Sequence, residues 1–351
     1  MRWSILLLAV SISPGCESDR PAAVPITDVS FSPDGKWLVA CGGRLNTRKP
    51  RVGGEGFVKI WDTEGWKLRD TINDGFTDPV EQLFFAHDGL LCSVSNNIIP
   101  DSPGSPYGGV SFRYWNITKR EETPPFRLTE GSNQARVVAY CPERKLVCLS
   151  SGGKPQIVKM PGLEVTSAME GHSQGSLLMR FSPDCKRLMS CTVDKPFLRV
   201  HDAASGKRVA EHSLDSVAPK LSLVSGGFSR DGTMVFVCTE SKKLFVLPAD
   251  LTSVLLEVKL GLFPRCADFS PDGGSIAIPK SHDTLQILSI RKGEVLREFG
   301  GITEGVNGCA FSTDGRLVAV ASGGHPQGAD NSPGKVRVFE AKTGKLVAEL
   351  D

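Results

Sequence analysis

Two glycine clusters, Ser151-Gly-Gly-Lys154 and Val52-Gly-Gly-Glu55, are the segments that could cradle a phosphate. Both lack the full spacing and the strand-to-helix setting that turn backbone amides onto a phosphate. No Gly-x-Ser-x-Gly elbow opens a helix, and no two carboxylates can be assigned acid and base roles from spacing. The six histidines are scattered and no Cys-x-x-Cys occurs, so a zinc site has no support. Beyond Cys16 nine cysteines remain, Cys41, Cys92, Cys141, Cys148, Cys185, Cys191, Cys238, Cys266 and Cys309, most of them inside apolar alternating runs such as Val235-Phe-Val-Cys238. They read as small buried hydrophobes packed in a core, not as bridges. The expectation is a non-catalytic protein with no cofactor and no metal.

Residues suited to binding are easier to find. Arg44, Arg48, Lys49 and Arg51 form a basic run with no acid before Glu55, which favours a negatively charged protein partner. Tyr107 is an amphipathic side chain of low rotamer entropy, a type enriched at interface hot spots. At the N-terminus Arg2 precedes the apolar run Ile5 to Val10 and the small-residue exit Ser13-Pro-Gly-Cys16. That order reads as an export signal. Its end resembles a bacterial lipoprotein signal, which implies lipidation of Cys16 and a membrane anchor in the cell envelope, although Ser13 and Pro14 depart from that pattern. Residues 1–15 are then the signal and 16–25 a tether without strand or helix periodicity.

The composition sets limits on partners. Among 351 residues, 41 basic and 39 acidic side chains nearly cancel, so nucleic acid is not expected as a partner. The longest apolar run is far shorter than the 18 or so residues that span a bilayer. Gly (37) and Pro (23) exceed one residue in six, the mark of a chain rich in turns.

The elements that must position these side chains emerge from a repeat. Phe31-Ser-Pro-Asp-Gly35 recurs, with variation, at Phe85, Tyr140, Phe181, Phe228, Phe269 and Phe311, at spacings of 54, 55, 41, 47, 41 and 42 residues. Each copy lies between apolar runs, as in Trp37-Leu-Val-Ala-Cys41, and is therefore a hairpin turn: Pro presets φ, Asp bonds nearby amides and Gly takes a positive φ. A third strand follows each time and ends in a bulky residue before a turn former, for instance Ile60-Trp61-Asp62, Val200-His201-Asp202 and Val338-Phe339-Glu340. A Gly-containing connection such as Ser205-Gly-Lys207 introduces a fourth.

The chain resembles the WD-repeat family of β-propellers over residues 26–351. The resemblance implies an all-β, seven-bladed ring of four-stranded antiparallel blades and a monomeric protein-interaction scaffold. Trp61-Asp62 is the one Trp-Asp pair and Gly171-His172 the one Gly-His pair where that family places one, so its hydrogen-bonded tetrad is mostly missing. Since residues 17–25 do not alternate, blade seven should be complete in itself, with ring closure resting on side-chain contact between blades seven and one.

From the turn aromatic to the Trp-position residue, the seven units count 30, 30, 20, 20, 19, 19 and 28 residues. Units seven, one and two, neighbours in a closed ring, thus carry insertions at Gly323 to Lys335, Gly42 to Gly56 and Asn96 to Gly109. Three long loops on one face suggest a composite binding surface. Glu81, Arg136, Arg265 and Asn307 open innermost strands and are expected near the channel mouth on that face. The alternatives are an enzyme or sugar or small-molecule binder using the channel mouth, and a cytoplasmic scaffold with an uncleaved N-terminus.

Overall fold

In a computed structural model, the chain is described over residues 24–351 apart from 45–54, 74–75, 77–78, 86–89, 97–109, 120, 129–135, 142, 151–154, 160–163, 173–175, 193–196, 215–222, 240, 263 and 325–332. It is all-β and forms seven four-stranded antiparallel sheets, each with its strands in chain order. Blade one is Ile26–Phe31, Trp37–Arg44, Glu55–Asp62 and Leu68–Ile72, and blade two is Gln82–Phe85, Leu90–Asn96, Val110–Asn116 and Glu121–Leu128. Blade three is Arg136–Cys141, Leu146–Ser150, Gln156–Lys159 and Glu164–Ala168, and blade four is Ser176–Phe181, Arg187–Thr192, Phe197–Asp202 and Arg208–Ser213. Blade five is Leu223–Phe228, Met234–Thr239, Lys243–Pro248 and Leu256–Lys259, and blade six is Asp268–Phe269, Ser275–Ser281, Thr284–Ser289 and Val295–Phe299. Blade seven is Val306–Phe311, Leu317–Ser322, Lys335–Glu340 and Leu346–Leu350. First strands of neighbouring blades contact one another, so they line the axis and the fourth strands form the rim. Among the described residues no helix is long and apolar enough to cross a membrane.

The repeated turn closes as its residues dictate. In blade one Ser32 Oγ donates to Asp34 Oδ1 (2.6 Å) and accepts the Trp37 amide (2.9 Å), while Asp34 Oδ1 accepts the Lys36 amide (3.1 Å). The same Ser–Asp bond recurs in blades four to seven through Ser182, Ser229, Ser270 and Ser312. The Ser270 hydroxyl and the Gly274 amide hold the Asp272 carboxyl below the usual carboxylate range. A local bond that also fixes strand register explains why the motif is strongest in these five blades.

Apolar cores form between blades. At the closing joint Ile26, Val29, Phe31, Leu38 and Trp61 of blade one pack against Ala310, Ala319, Val336, Val338 and Leu350 of blade seven. Blade seven is complete with its own four strands. Closure is nevertheless more than side-chain contact: Gly334 N–H donates to the Val24 carbonyl (3.0 Å), so the backbone ahead of blade one also ties onto blade seven. Alternation of side chains cannot report such a bond, because Val24 joins through its carbonyl without entering a strand.

Blade four keeps the core of the missing tetrad. His201, at the Trp position, donates from Nε2 to the Glu170 carbonyl (3.0 Å), and Ser190 Oγ lies between His201 Nδ1 (3.4 Å) and His172 Nε2 (2.9 Å). A carbonyl can only accept, so Nε2 of His201 carries its proton and Ser190 donates to Nδ1. Burial lowers the His201 pKa and keeps the ring neutral. Blade seven carries an ion cluster on its third strand. Arg337 binds Glu304 in two parallel bonds (2.7 and 3.0 Å) and reaches Glu349 with Nε (2.8 Å).

The cysteines divide in a way the sequence reading did not anticipate. Cys41, Cys92, Cys148, Cys191, Cys238 and Cys309 are buried free thiols and Cys266 is half-buried. Burial pushes the Cys238 thiol up to about 12. Cys141 and Cys185, however, are bonded as a disulfide with Cα atoms 6.0 Å apart. The expectation that they only pack in a core is corrected here, because their partners lie in different repeats and meet only once adjacent blades dock.

Candidate functional site

The ends of the second and third strands converge on one face, but the insertions are shorter than their sequence limits. Gly42, Gly43 and Arg44 pair in register with Phe57, Gly56 and Glu55, and Asn96 pairs with Val110. Each hairpin thus extends into its insertion before the strands part. Ser322 opposite Lys335 marks the corresponding point in blade seven.

At the foot of the Gly42–Gly56 and Gly323–Lys335 insertions, between blades seven and one, lies a cavity of about 760 Å³. Phe57 and Lys59 of the third strand and Thr71 of the fourth form one wall; Asn73 and Phe76, in the connection to blade two, extend it. Pro333, Gly334 and Asp351 form the other wall, with Val24 and Ile26 at the base. Lys59 Nζ sits 5.5 Å from the Phe57 ring centroid, which holds a cation over an apolar wall. Phe76 is fixed from behind by the Arg113 guanidinium, 4.5 Å from its ring, and by Trp115 at 5.9 Å. Aromatic surface, two neutral polar side chains and one charge of each sign, Lys59 and Asp351, in a concave space of this size suit an extended peptide segment or a small organic ligand.

Of the residues singled out from sequence, Arg44 ends the second strand of blade one, half-buried, beside this region. Arg48, Lys49, Arg51 and Tyr107, and Cys16 at the N-terminus, lie outside the described residues. Glu81, Arg136, Arg265 and Asn307 share one position, four residues before the turn aromatic. Glu81 and Arg265 are exposed, and the Glu81 amide donates to Val94 O (3.0 Å). Arg136 opens the first strand of blade three. Asn307 is committed elsewhere, with its amide nitrogen bonded to the Ile26 and Gly323 carbonyls.

Sequence reasoning missed Phe57, Lys59, Asn73 and Phe76, which read as ordinary strand and connection residues until blades seven and one are brought together. It also missed a charged group at the axis. Asp28 accepts amides from Val29 (2.9 Å) and from Leu83 of blade two (3.0 Å), and Asp268 accepts the Phe311 amide of blade seven (2.7 Å). Arg230 donates to the Phe311 carbonyl (2.9 Å). Burial raises both carboxyls to about 6, against the pull of these amides and of Arg180 on Asp28 and Arg230 on Asp268. Through these backbone amides the two carboxylates bind inner strands of neighbouring blades together.

The family model for the WD domain, G-beta repeat, matches residues 21–62 and 293–332. No curated protein matches the chain. The two matches contain the first three strands of blade one and the Phe311 turn of blade seven, on either side of the closing joint. Both matched segments are thus similar to WD repeats, and the chain as a whole has the seven four-stranded blades of a β-propeller.

Proposed function

We propose that this propeller is a non-catalytic interaction scaffold that captures a protein partner on the face carrying its three long loops, with the cavity between blades seven and one as the anchor point. The observation that carries this reading is the position of that cavity at the foot of two of the three insertions. WD-repeat propellers commonly act as protein-interaction scaffolds, and a concave aromatic site beside basic loops fits an acidic segment of a partner. Arg48, Lys49 and Arg51 supply the charge, Tyr107 a contact from the neighbouring loop, and Phe57 and Phe76 the apolar wall. The protein works outside the cytoplasm after removal of residues 1–15, held to a membrane by lipid on Cys16, with 16–25 as the tether of a monomeric propeller spanning 26–351. Arg2, the apolar run Ile5 to Val10 and Gly15-Cys16 motivate that placement.

Shortening each insertion to the 19- or 20-residue spacing of the other units tests the reading, with partner capture and thermal stability measured side by side. Retained folding with weakened capture is the expected result. Unchanged affinity for the same partners would refute the composite site. Charge reversal at Arg48, Lys49 and Arg51 should weaken capture more at low salt than at high, because exposed charges are screened over about 10 Å at 0.1 M ionic strength. Mass spectrometry of the mature chain tests the rest: a protein still carrying residues 1–15 would refute export by this signal. The cavity volume also favours a small-molecule ligand as a second reading, which native mass spectrometry of the purified protein would reveal as a retained mass.

A further inference from the structure

In this ring the glycines that end the turns of blades one, five and seven face the turn of the preceding blade. A Cβ built on Gly35 would meet Thr313 Oγ1 at 3.0 Å, and one on Gly315 would meet Pro271 Cδ at 3.2 Å. On Gly232 it would lie 3.7 Å from Pro183 Cδ and 4.0 Å from Ser182 Cβ. The last separation falls within the range of bridged cysteines. Gly35, Gly232, Gly273 and Gly315 hold this place at φ between 68° and 72°, whereas blade four has Cys185 at φ 55°. A side chain with a Cβ is strained there. At the Ser position of the preceding turn, where five described blades use serine to cap the turn, blade three has Cys141. Two departures from the repeat, each a local loss, fall on two positions that face each other across the joint between blades three and four.

We propose that Cys141–Cys185 is an inter-blade staple closed by thiol–disulfide exchange with a disulfide-bearing carrier protein, and therefore that the chain matures in an oxidising compartment. One cysteine attacks the carrier disulfide as thiolate, forming a mixed disulfide and expelling one carrier sulfur; the second then attacks the protein sulfur of that bond and expels the other. Two protons and two electrons leave the protein, and the carrier departs as a dithiol. Glu143 Oε2, 2.9 Å from Cys185 Sγ and 3.5 Å from Cys141 Sγ, is placed to take the first proton. The closed bridge is buried, with Cys141 and Cys185 about 1% and 2% exposed, which shields it from exchange in the folded protein. The staple stands independently of the N-terminal segment: a bridged chain that keeps residues 1–15 would refute signal removal and leave the staple intact.

The full chain, purified from its native source with thiols alkylated at lysis, decides the matter by peptide mass after denaturation. Cys141 and Cys185 should resist alkylation until reduced, while Cys41, Cys92, Cys148, Cys191, Cys238, Cys266 and Cys309 react. Alkylation of both without reduction, or a stoichiometric zinc ion held by the two thiolates and Glu143, would overturn the proposal. Cys185→Gly gives a second readout of opposite sign. If the staple exists, this variant melts lower by roughly 5 °C or more and loses its sensitivity to reductant. If it does not, removing the strained φ raises the melting temperature, and the proposal fails.

Discussion

Asn307 of blade seven donates its side-chain amide to the Ile26 carbonyl of blade one at 2.9 Å, and the same nitrogen reaches the Gly323 carbonyl at 3.0 Å. Asn307 sits at a register shift between Val306 and Gly308, and Thr27 occupies the equivalent bulge in blade one. Thr27 Oγ1 donates to the Val80 carbonyl (2.6 Å) at the entry to blade two, and Ser225 Oγ to the Pro264 carbonyl (3.2 Å) at the entry to blade six. In all three joints a short polar side chain reaches the carbonyl five residues ahead of the next turn aromatic. At Asn307 and Thr27 the bulge frees a side chain from its sheet and aims it at the neighbour, whereas Ser225 lies just past its bulge, in register with Cys238.

Asn307→Ala should therefore cost about 1–2 kcal/mol by leaving the Ile26 and Gly323 carbonyls without their donor. Asn307→Asp should cost more, because a carboxylate would face two carbonyl oxygens. Urea midpoints measure both, and amide exchange should rise in Ile26–Phe31 while staying unchanged in the distant blade four. An aspartate variant as stable as the wild type would rule out the clamp.

The Glu304–Arg337 pair should behave as a buried ion pair whose breakage is expensive. Their side chains are 10% and 8% exposed, and Arg337 also holds Glu349. Arg337→Met is expected to lose about 3–5 kcal/mol, since it strands a buried carboxylate. The Arg337 hydrogen bonds pull the Glu304 carboxyl from its ordinary 4.5 down to about 2. A depressed carboxyl contributes its full stability above 4.5 and loses it as pH falls through 2. Wild-type stability should thus fall across that window, whereas Arg337→Met should gain stability on mild acidification below pH 6 as Glu304 takes a proton. Chemical denaturation at several pH values distinguishes the two slopes.

The axial carboxylates predict the reverse slope at higher pH. Asp28 and Asp268 titrate near 6 in the fold and near 3.8 otherwise, with burial as the main cause. A raised carboxyl gives its full contribution below 3.8 and loses it as pH rises through 6. Stability should drop by about 2–3 kcal/mol per group between about pH 4 and 7. Asp268→Asn keeps an oxygen for the Phe311 amide and removes the charge, so it should flatten this slope. An unchanged slope in that variant would show that Asp268 does not titrate there.

Much of this architecture is legible in the sequence. Phe-Ser-Pro-Asp-Gly is a local device, complete within five residues, so its seven occurrences count blades directly. The long second-to-third strand spacings likewise locate the insertions. What escaped are relations between repeats. Asn307 looked like a channel-mouth residue because its position opens an inner strand, yet its partner Ile26 is 281 residues away. Phe57 and Phe76 carry no pattern that marks a cavity wall. Cys141 and Cys185, 44 residues apart, depart from the motif at two different positions, and only the geometry of the joint makes those positions neighbours.

That geometry should be transferable to another joint. Ser182 and Gly232 stand in the same relation between blades four and five as Cys141 and Cys185 do between blades three and four, with a Cβ on Gly232 falling 4.0 Å from Ser182 Cβ. The double variant Ser182→Cys, Gly232→Cys should therefore close a second disulfide under mild oxidation without backbone rearrangement. Bridging a loop of this length is worth about 4 kcal/mol through the unfolded chain. Against it stand the lost Ser182 turn cap, about 1 kcal/mol, and a side chain at φ 69°, at about 1–2 kcal/mol. A net gain of about 1–2 kcal/mol is expected in the oxidised form and a net loss in the reduced form, read as opposite shifts of the urea midpoint. Ser182→Cys paired with Gly273→Cys, which lies two blades away, should remain a dithiol under the same conditions. If the adjacent pair also stays reduced while Cys141–Cys185 is bridged, the joints are not equivalent, and the native bridge depends on something particular to blades three and four, with Glu143 the first residue to test.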